Sequence, residues 1–283
     1  MSLDPIREVA VRAARAAGAV QREHCETRLE VDAAPGHDLK LAVDRLCEEA
    51  VVETIRAAFP DHAILAEEGG ARPGTGDCTW IIDPLDGTVN YFHGIPYFAT
   101  CVACYRKTPG SKGTPGENRV FPREADSLGE PLVGVVYVPP VDELYLGVAG
   151  EGATRNGEPV TVSDAAALRE VMIATGFGST DENIRHMQGI GRALVSEVRK
   201  IRCLGAAAFD MANVAAGRLT AYYERGIRSW DFAAPNVVLR EAGATVEAVE
   251  YAPDTWEVLA AAPGVAEALA AVVARSGTPR PTG

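Results

Sequence analysis

No stretch of this 283-residue chain approaches the roughly 18 consecutive apolar residues of a membrane-spanning helix. Its first residues, MSLDPIREVAVRAARAAG, lack the basic-then-apolar order of a secretory signal. The sequence therefore predicts a cytoplasmic protein with no membrane partner. Positive charge is also short: 27 Lys and Arg stand against 39 Asp and Glu, a net charge of −12. That balance argues against nucleic acid as a partner and requires any bound anion to be neutralised locally. The six cysteines are scattered. Cys101 and Cys104 form a C-x-x-C, but inside the strand-like FATCVACYR, with no glycine turn and no second ligand pair. Reduced thiols are expected there, not a redox or zinc motif. There is no G-x-x-x-x-G-K-[ST], no H-E-x-x-H, no G-x-S-x-G and no Cys followed six places later by Arg. P-loop enzymes, zinc proteases, serine hydrolases and cysteine phosphatases are thereby excluded.

What is present is ordinary globular composition, 47% apolar and 23% charged, in a chain long enough for one large domain or two fused subdomains. Residues 4–24 and the stretch AVDRLCEEAVVETIRAAF have apolar residues at helical spacing, and Pro60 stops the second. Short β-like runs follow at 63–66, 79–83, 98–105, 132–139 and 143–148, and predict a largely antiparallel sheet. Residues 106–131, rich in Pro, Gly and charge, read as a long excursion from a hairpin. From about residue 150 the pattern alternates β and α. The tail SGTPRPTG has nothing to pack.

Acidic residues gather where strands end and helices begin: Glu67 and Glu68 after AILA, Asp83 and Asp86 in WIIDPLDGTVNY, Asp231 before FAAPNVVLREAG, and Asp44 at the start of the second helix. Singly, Asp231 reads as a helix cap and Glu67-Glu68-Gly-Gly as a solvated turn. Asp83 and Asp86 are harder to dismiss, because Pro84 fixes the backbone between them and Leu85 can offer a carbonyl. Carboxylates with a carbonyl make an oxygen-rich site suited to magnesium. An EF-hand does not fit, since Leu85 occupies a ligand position, and the Asp-x-Asp of the haloacid dehalogenases is absent at this site.

The motifs ILAEEGG, WIIDPLDGTVNY and YYERGIRSWDFAA, in that order, resemble the inositol monophosphatase family, within the magnesium-dependent, lithium-sensitive phosphatases that include fructose bisphosphatases. The resemblance implies a layered αβαβα sandwich of α+β and α/β character. It assigns residues 1–149 to a metal- and phosphate-binding subdomain and 150–283 to a substrate-specificity subdomain, and it implies a homodimer. It implies two or three Mg2+ ions, held by Glu67, Asp83, the carbonyl of Leu85, Asp86 and Asp231. Gly87 and Thr88 match phosphate-holding positions, and Asp44 matches the acidic partner of the Thr88 hydroxyl, the two together activating a water. Ser179, Gly205, Ala207, Glu224 and Asp231 fall where the family contacts substrate. The implied reaction is hydrolysis of a small phosphorylated polyol, inositol 1-phosphate first. The alternatives are histidinol phosphate, fructose 1,6-bisphosphate, 3′-phosphoadenosine 5′-phosphate, or a regulatory role on the same fold. Leu41 stands where the family usually has threonine and Ala33 where lysine is common, which leaves the metal count open between two and three. Lys40 reads as an exposed lysine.

Overall fold

The computed structural model describes residues 2–25, 31–33, 40–108, 123–124 and 128–276. Helix α1 (Asp4–His24) has Pro5 in its first turn, where a missing N–H costs nothing. Its buried alanines, Ala10, Ala13, Ala14 and Ala17, give a flat stripe against which α2 (Ala42–Ala58) packs. Between the helices β1 (Val31–Ala33) pairs with β2 (Lys40–Leu41). The chain continues through β3 (Ala63–Ala66), β4 (Gly70–Arg72), β5 (Cys78–Asp86), α3 (Thr88–Phe92), β6 (Ala99–Arg106), β7 (Arg123–Glu124), β8 (Glu130–Val138), β9 (Glu143–Val148), β10 (Gly152–Arg155) and β11 (Glu158–Pro159). It ends with β12 (Met172–Thr175), α4 (Asp181–Glu197), β13 (Lys200–Arg202), α5 (Ala207–Ala215), β14 (Ala221–Ile227), α6 (Ser229–Glu241), β15 (Thr245–Ala252), β16 (Thr255–Ala261) and α7 (Pro263–Ser276).

Two large sheets result. The first has the order β11-β10-β9-β8-β6-β5-β3-β4 and is antiparallel except where β3 runs parallel to β5. The second has the order β13-β12-β14-β16-β15-β7, with β12 parallel to both its neighbours. Three apolar cores stack these elements: α1 and α2 on one face of the first sheet, α5 and α6 between the sheets, and α4 and α7 on the outer face of the second. This is the expected αβαβα sandwich. Contact between α6 and the first sheet depends on two glycines paired across β8 and β9, Gly134 and Gly147. A Cβ on Gly134 would collide with the Ala234 carbonyl, and one on Gly147 would lie 2.7 Å from the Val238 Cα.

Two expectations about layout change. The pattern shift near residue 150 does not end the first sheet, because β10 hairpins back onto β9 and extends it to Pro159. The excursion after Tyr105 falls mostly outside the described residues, as does the tail from 277, but its strand β7 pairs with β15 and so joins the second sheet.

Candidate active site

Residues three apart on a regular strand point to opposite faces, yet Asp83 and Asp86 serve one cavity. The ladder to β6 explains it: Asp83 pairs with Cys101 and Asp86 with Ala99, so three steps on β5 match two on β6. This one-residue bulge brings both carboxylates to the same side. Pro84 lies within it, where no ladder N–H is required, and its carbonyl accepts from Gln21 Nε2 (2.8 Å) and Thr100 Oγ1 (3.1 Å). Asp83 Oδ1 accepts the Leu85 N–H at 3.0 Å. Gly87 follows with φ +86°, and a Cβ there would meet Ala206 Cβ and Tyr97 O at 3.0 Å, so the turn demands glycine.

Other elements bring the remaining acids. Asp231 is the third residue of α6, and its Oδ2 accepts the Arg228 N–H (2.7 Å), closing the helix start. Asp86 Oδ2 accepts the N–H groups of Ala208 (3.0 Å) and Phe209 (3.2 Å) in the first turn of α5. On β14, Glu224 accepts from Tyr222 Oη (2.8 Å) and Gly178 N (3.0 Å), and its carboxylate fills the space a side chain at Gly176 would need. Glu67 follows β3, in a turn anchored from below by buried Glu48. That carboxylate accepts the N–H groups of Glu68 (2.8 Å) and Gly69 (3.0 Å) and a guanidinium N–H of Arg72 (3.0 Å).

A cavity of about 360 Å³ joins these parts. Glu67, Asp83, Leu85, Asp86, Gly87, Thr88, Ser179, Gly205, Ala207, Glu224 and Asp231 all line it, which is every expected site residue except Asp44. Burial pushes Asp83 and Asp231 well above the usual carboxylate range; Glu67 and Asp86 add to it at Asp83, while the Arg228 N–H opposes it at Asp231. Glu67 is likewise raised by burial and by Asp231. Asp86 rises to about 7 by burial, against the pull of the α5 N–H groups. Glu224 is also raised by burial. Such a set cannot all ionise together unless a cation is present. Three carboxylates and a main-chain carbonyl are the hard oxygen donors that magnesium takes. By donor chemistry Asp83, Asp86, Asp231 and Leu85 O suit a divalent ion, and Glu67 lines the same cavity, although no three of these carboxylates stand within 4.8 Å of one another.

Some expectations are redrawn. The Thr88 hydroxyl donates to Leu85 O (2.9 Å), while Asp44 Oδ2 accepts the Leu41 N–H (2.7 Å) at the start of α2. Each of these two bonds closes a local turn, and the Leu85 carbonyl keeps a second lone pair. Lys40 is not simply exposed: its ammonium lies 2.8 Å from Glu68 Oε1 and 4.0 Å from Glu67 Oε1. Ala33 is described, but 34–39 fall outside the described residues. Two further acids stand out in the structure, Glu48 and Asp210, the latter closing the LGAAAFD stretch that the family resemblance places at the substrate. Glu48 supports the Glu67 turn, and buried Asp210 lines the cavity and accepts from Tyr97 Oη (2.6 Å). Burial raises Asp210 to about 7. Glu48 sits in a regular helix pattern, where nothing local distinguishes it.

The model of the inositol monophosphatase family matches residues 2–111 and 127–277. The Nus factor SuhB of Pasteurella multocida is 36% identical over 248 residues, covering 86% of this chain and 85% of its own. Among solved structures, the inositol monophosphatase from Anabaena (Nostoc) sp. PCC 7120 is 33% identical with a TM-score of 0.78, covering 100% of this chain and 99% of its own. The extragenic suppressor protein suhB from Bartonella henselae is 28% identical with a TM-score of 0.82, covering 95% of this chain and 98% of its own.

Proposed function

The chain belongs to the inositol monophosphatase family, and from that premise we propose that it hydrolyses a phosphate monoester of a polyol, inositol 1-phosphate first, with two or three magnesium ions at the carboxylate cluster. The observation that carries this reading is the convergence of Glu67, Asp83, Asp86, Asp231 and Thr88 on one cavity. Bound there, magnesium supplies Lewis acidity and lowers the pKa of water, which allows in-line attack without a covalent phosphoenzyme.

The chain's own residues do the rest. Asp83 and Asp86, aimed together by the bulge, and Asp231, held by its cap, supply fixed negative oxygens. Gly87 and Thr88 border the place for the phosphate, and the small residues Ser179, Gly205 and Ala207 leave room for the alcohol. Asp44 and Thr88 are assigned to holding the attacking water, an arrangement that requires the Thr88 hydroxyl to turn from Leu85 O. Glu224, already oriented by Tyr222 and Gly178, keeps lone pairs for substrate hydroxyls. The lining of the cavity supports the polyol ester over a bisphosphate, since it contains Glu224 and Asp210 but no Lys, Arg or His among the described residues. A second phosphate, as in fructose 1,6-bisphosphate or a phosphonucleotide, would face carboxylates without a cation from the protein. The test is phosphate release from inositol 1-phosphate, histidinol phosphate, fructose 1,6-bisphosphate and 3′-phosphoadenosine 5′-phosphate with Mg2+. Preference for either bisphosphate would defeat the polyol reading. Millimolar lithium is expected to inhibit turnover, and uninhibited turnover at that level would remove this family trait.

A second reading rests on relatives named Nus factor SuhB, which favours a regulatory protein. If that role is shared, the net charge of −12 favours protein over nucleic acid as the direct contact. A cellular phenotype that survives Asp83→Asn while turnover is lost would support it. A homodimer is proposed from the family, and sedimentation as a monomer at micromolar concentration would remove it.

A further inference from the structure

At the far end of β5 from the carboxylates lies a second cluster of donors. Cys78 opens the strand, Cys104 lies on β6, and His62 precedes β3; one ligand atom from each lies within 4.8 Å of the others. Strand register explains the meeting. Cys78 pairs with Arg106 and Trp80 with Cys104, so Cys104 is the diagonal neighbour of Cys78 on the same face. Cys101 belongs to the core on the opposite face, with α5 and α6, whereas Cys78 and Cys104 lie in the core shared with α1 and α2. The C-x-x-C spacing is therefore incidental, and the sulfur that Cys104 meets comes from the neighbouring strand.

We propose that Cys78, Cys104 and His62 form a binding site for a thiophilic cation of the zinc class, distinct from the carboxylate site. Two sulfurs and an imidazole are the donors zinc selects, and they contrast with the all-oxygen set at the cavity. Tetrahedral zinc, with bonds of about 2.3 Å to sulfur and 2.0 Å to nitrogen, sets its ligand atoms roughly 3.5–3.8 Å apart. Closing a 4.8 Å cluster to that spacing asks for side-chain adjustment of about an ångström. A direct disulfide asks for more: diagonal cross-strand residues have Cα atoms about 7–8 Å apart, at or beyond disulfide reach. An ion can span what a bond spans only with backbone movement.

The surroundings are built around this cluster. Cys104 is fully buried, Cys78 nearly so, and half-buried His62 offers the side of entry. The loop before β5 passes so close that a Cβ on Gly76 would stand 2.8 Å from His62 Cδ2. Lys107 ties that loop down, donating to the carbonyls of Gly74 (3.0 Å) and Gly76 (2.7 Å). A water can complete a fourth position. His62 is stacked on Phe59 (4.6 Å) and accepts at Nδ1 from Trp80 Nε1 (3.0 Å). A neutral imidazole accepting at Nδ1 carries its proton on Nε2. Ligation at Nδ1 removes the lone pair that Trp80 uses, and ligation at Nε2 moves the proton onto Nδ1. Either way Trp80 loses its acceptor, and the two thiols release their protons to solvent.

The test is titration of the reduced full chain with Co2+, then displacement by Zn2+, following thiolate-to-cobalt charge transfer and tryptophan emission. The carboxylates give no thiolate band, and Cys203→Ser, which removes the one thiol lining their cavity among the described residues, should leave the band unchanged, so the two sites separate in one experiment. One equivalent of band, a change in emission and displacement by zinc are expected. Cys78→Ser and His62→Gln should each weaken binding by at least about 100-fold, beyond the 10–100-fold typical of changes around a ligand. Both variants should stay folded and keep magnesium-dependent phosphate release, and Asp83→Asn should keep the band. A folded, reduced wild-type chain with no band overturns the proposal. So does a band that survives Cys78→Ser, which would place the thiolates at exposed Cys25 or Cys203.

Discussion

The two ends of β5 make an instructive pair. At its C-terminal end Asp83 and Asp86 meet Glu67 and Asp231, side chains drawn from both halves of the chain. At its N-terminal end Cys78 meets Cys104 and His62, all supplied by the first sheet and the turn leading into it. The acids are forced together by tertiary structure and cannot all carry charge without a cation. Burial raises the Cys104 thiol, whose S–H draws Cys78 down to about 7, and His62 is already satisfied by Trp80. One strand thus ends in crowded buried carboxylates at one side and in a sulfur–nitrogen cluster at the other.

The sharpest way to break this contrast is Asp83→Asn. It is expected to lower kcat/KM for inositol 1-phosphate by at least about 100- to 1000-fold, the scale for losing one element of charge stabilisation. Cys78→Ser should leave kcat/KM within about twofold, because Cys78 opens β5 at the end away from the acids; steady-state kinetics of both variants settle it. Next in size, Gly134→Ala should push α6 from the first sheet and cost roughly 1–3 kcal/mol by overpacking. Because α6 carries Asp231 alone, Mg2+ affinity should fall in calorimetry while the cobalt–thiolate band persists. If both sites weaken equally, the ends of the strand are not independent. Glu224→Gln is expected to raise KM for the polyol ester about tenfold, within the roughly 1–3 kcal/mol of a lost charge-assisted hydrogen bond. An unchanged KM would remove Glu224 from substrate contact.

The smallest effect concerns pH. Asp210 is raised by burial from 3.8 to about 7, so its neutral form favours the folded state. Its contribution is fully present below the unfolded value and is lost as pH rises through about 7. In chelator, melting temperature should fall across that window, and Asp210→Asn should flatten the fall. Mg2+ should restore more stability at the upper end than at the lower. A melting temperature that rises with pH in chelator would contradict the burial argument.

Much of this frame is legible in the residues. Helical spacing marks α1 and α2, the apolar runs mark the central strands, and WIIDPLDGTVNY marks the carboxylates that line the cavity. The bulge is less legible, although Pro84 inside a buried strand is its signal, since a ladder position would need an N–H. Glu48 reads as an ordinary helix residue because its partner, the Glu67 turn, comes from elsewhere in the fold. The meeting of Cys78 with Cys104 depends on strand register, which turn geometry decides and a run of apolar residues does not. Thr88 and Asp44 are both visible, but each bonds the nearest backbone group, an arrangement motif spacing does not reveal.

The glycine pair under α6 has a consequence for how this cavity can be altered. With Gly134 and Gly147 bringing the helix against the sheet backbone, the wall bearing Asp231 has no side-chain spacer that can be trimmed or lengthened by small steps. That wall behaves as a fixed jaw. Gradual change of the cavity is left to side chains such as Phe177 and Ser179, on a loop whose backbone holds Glu224 through the Gly178 N–H.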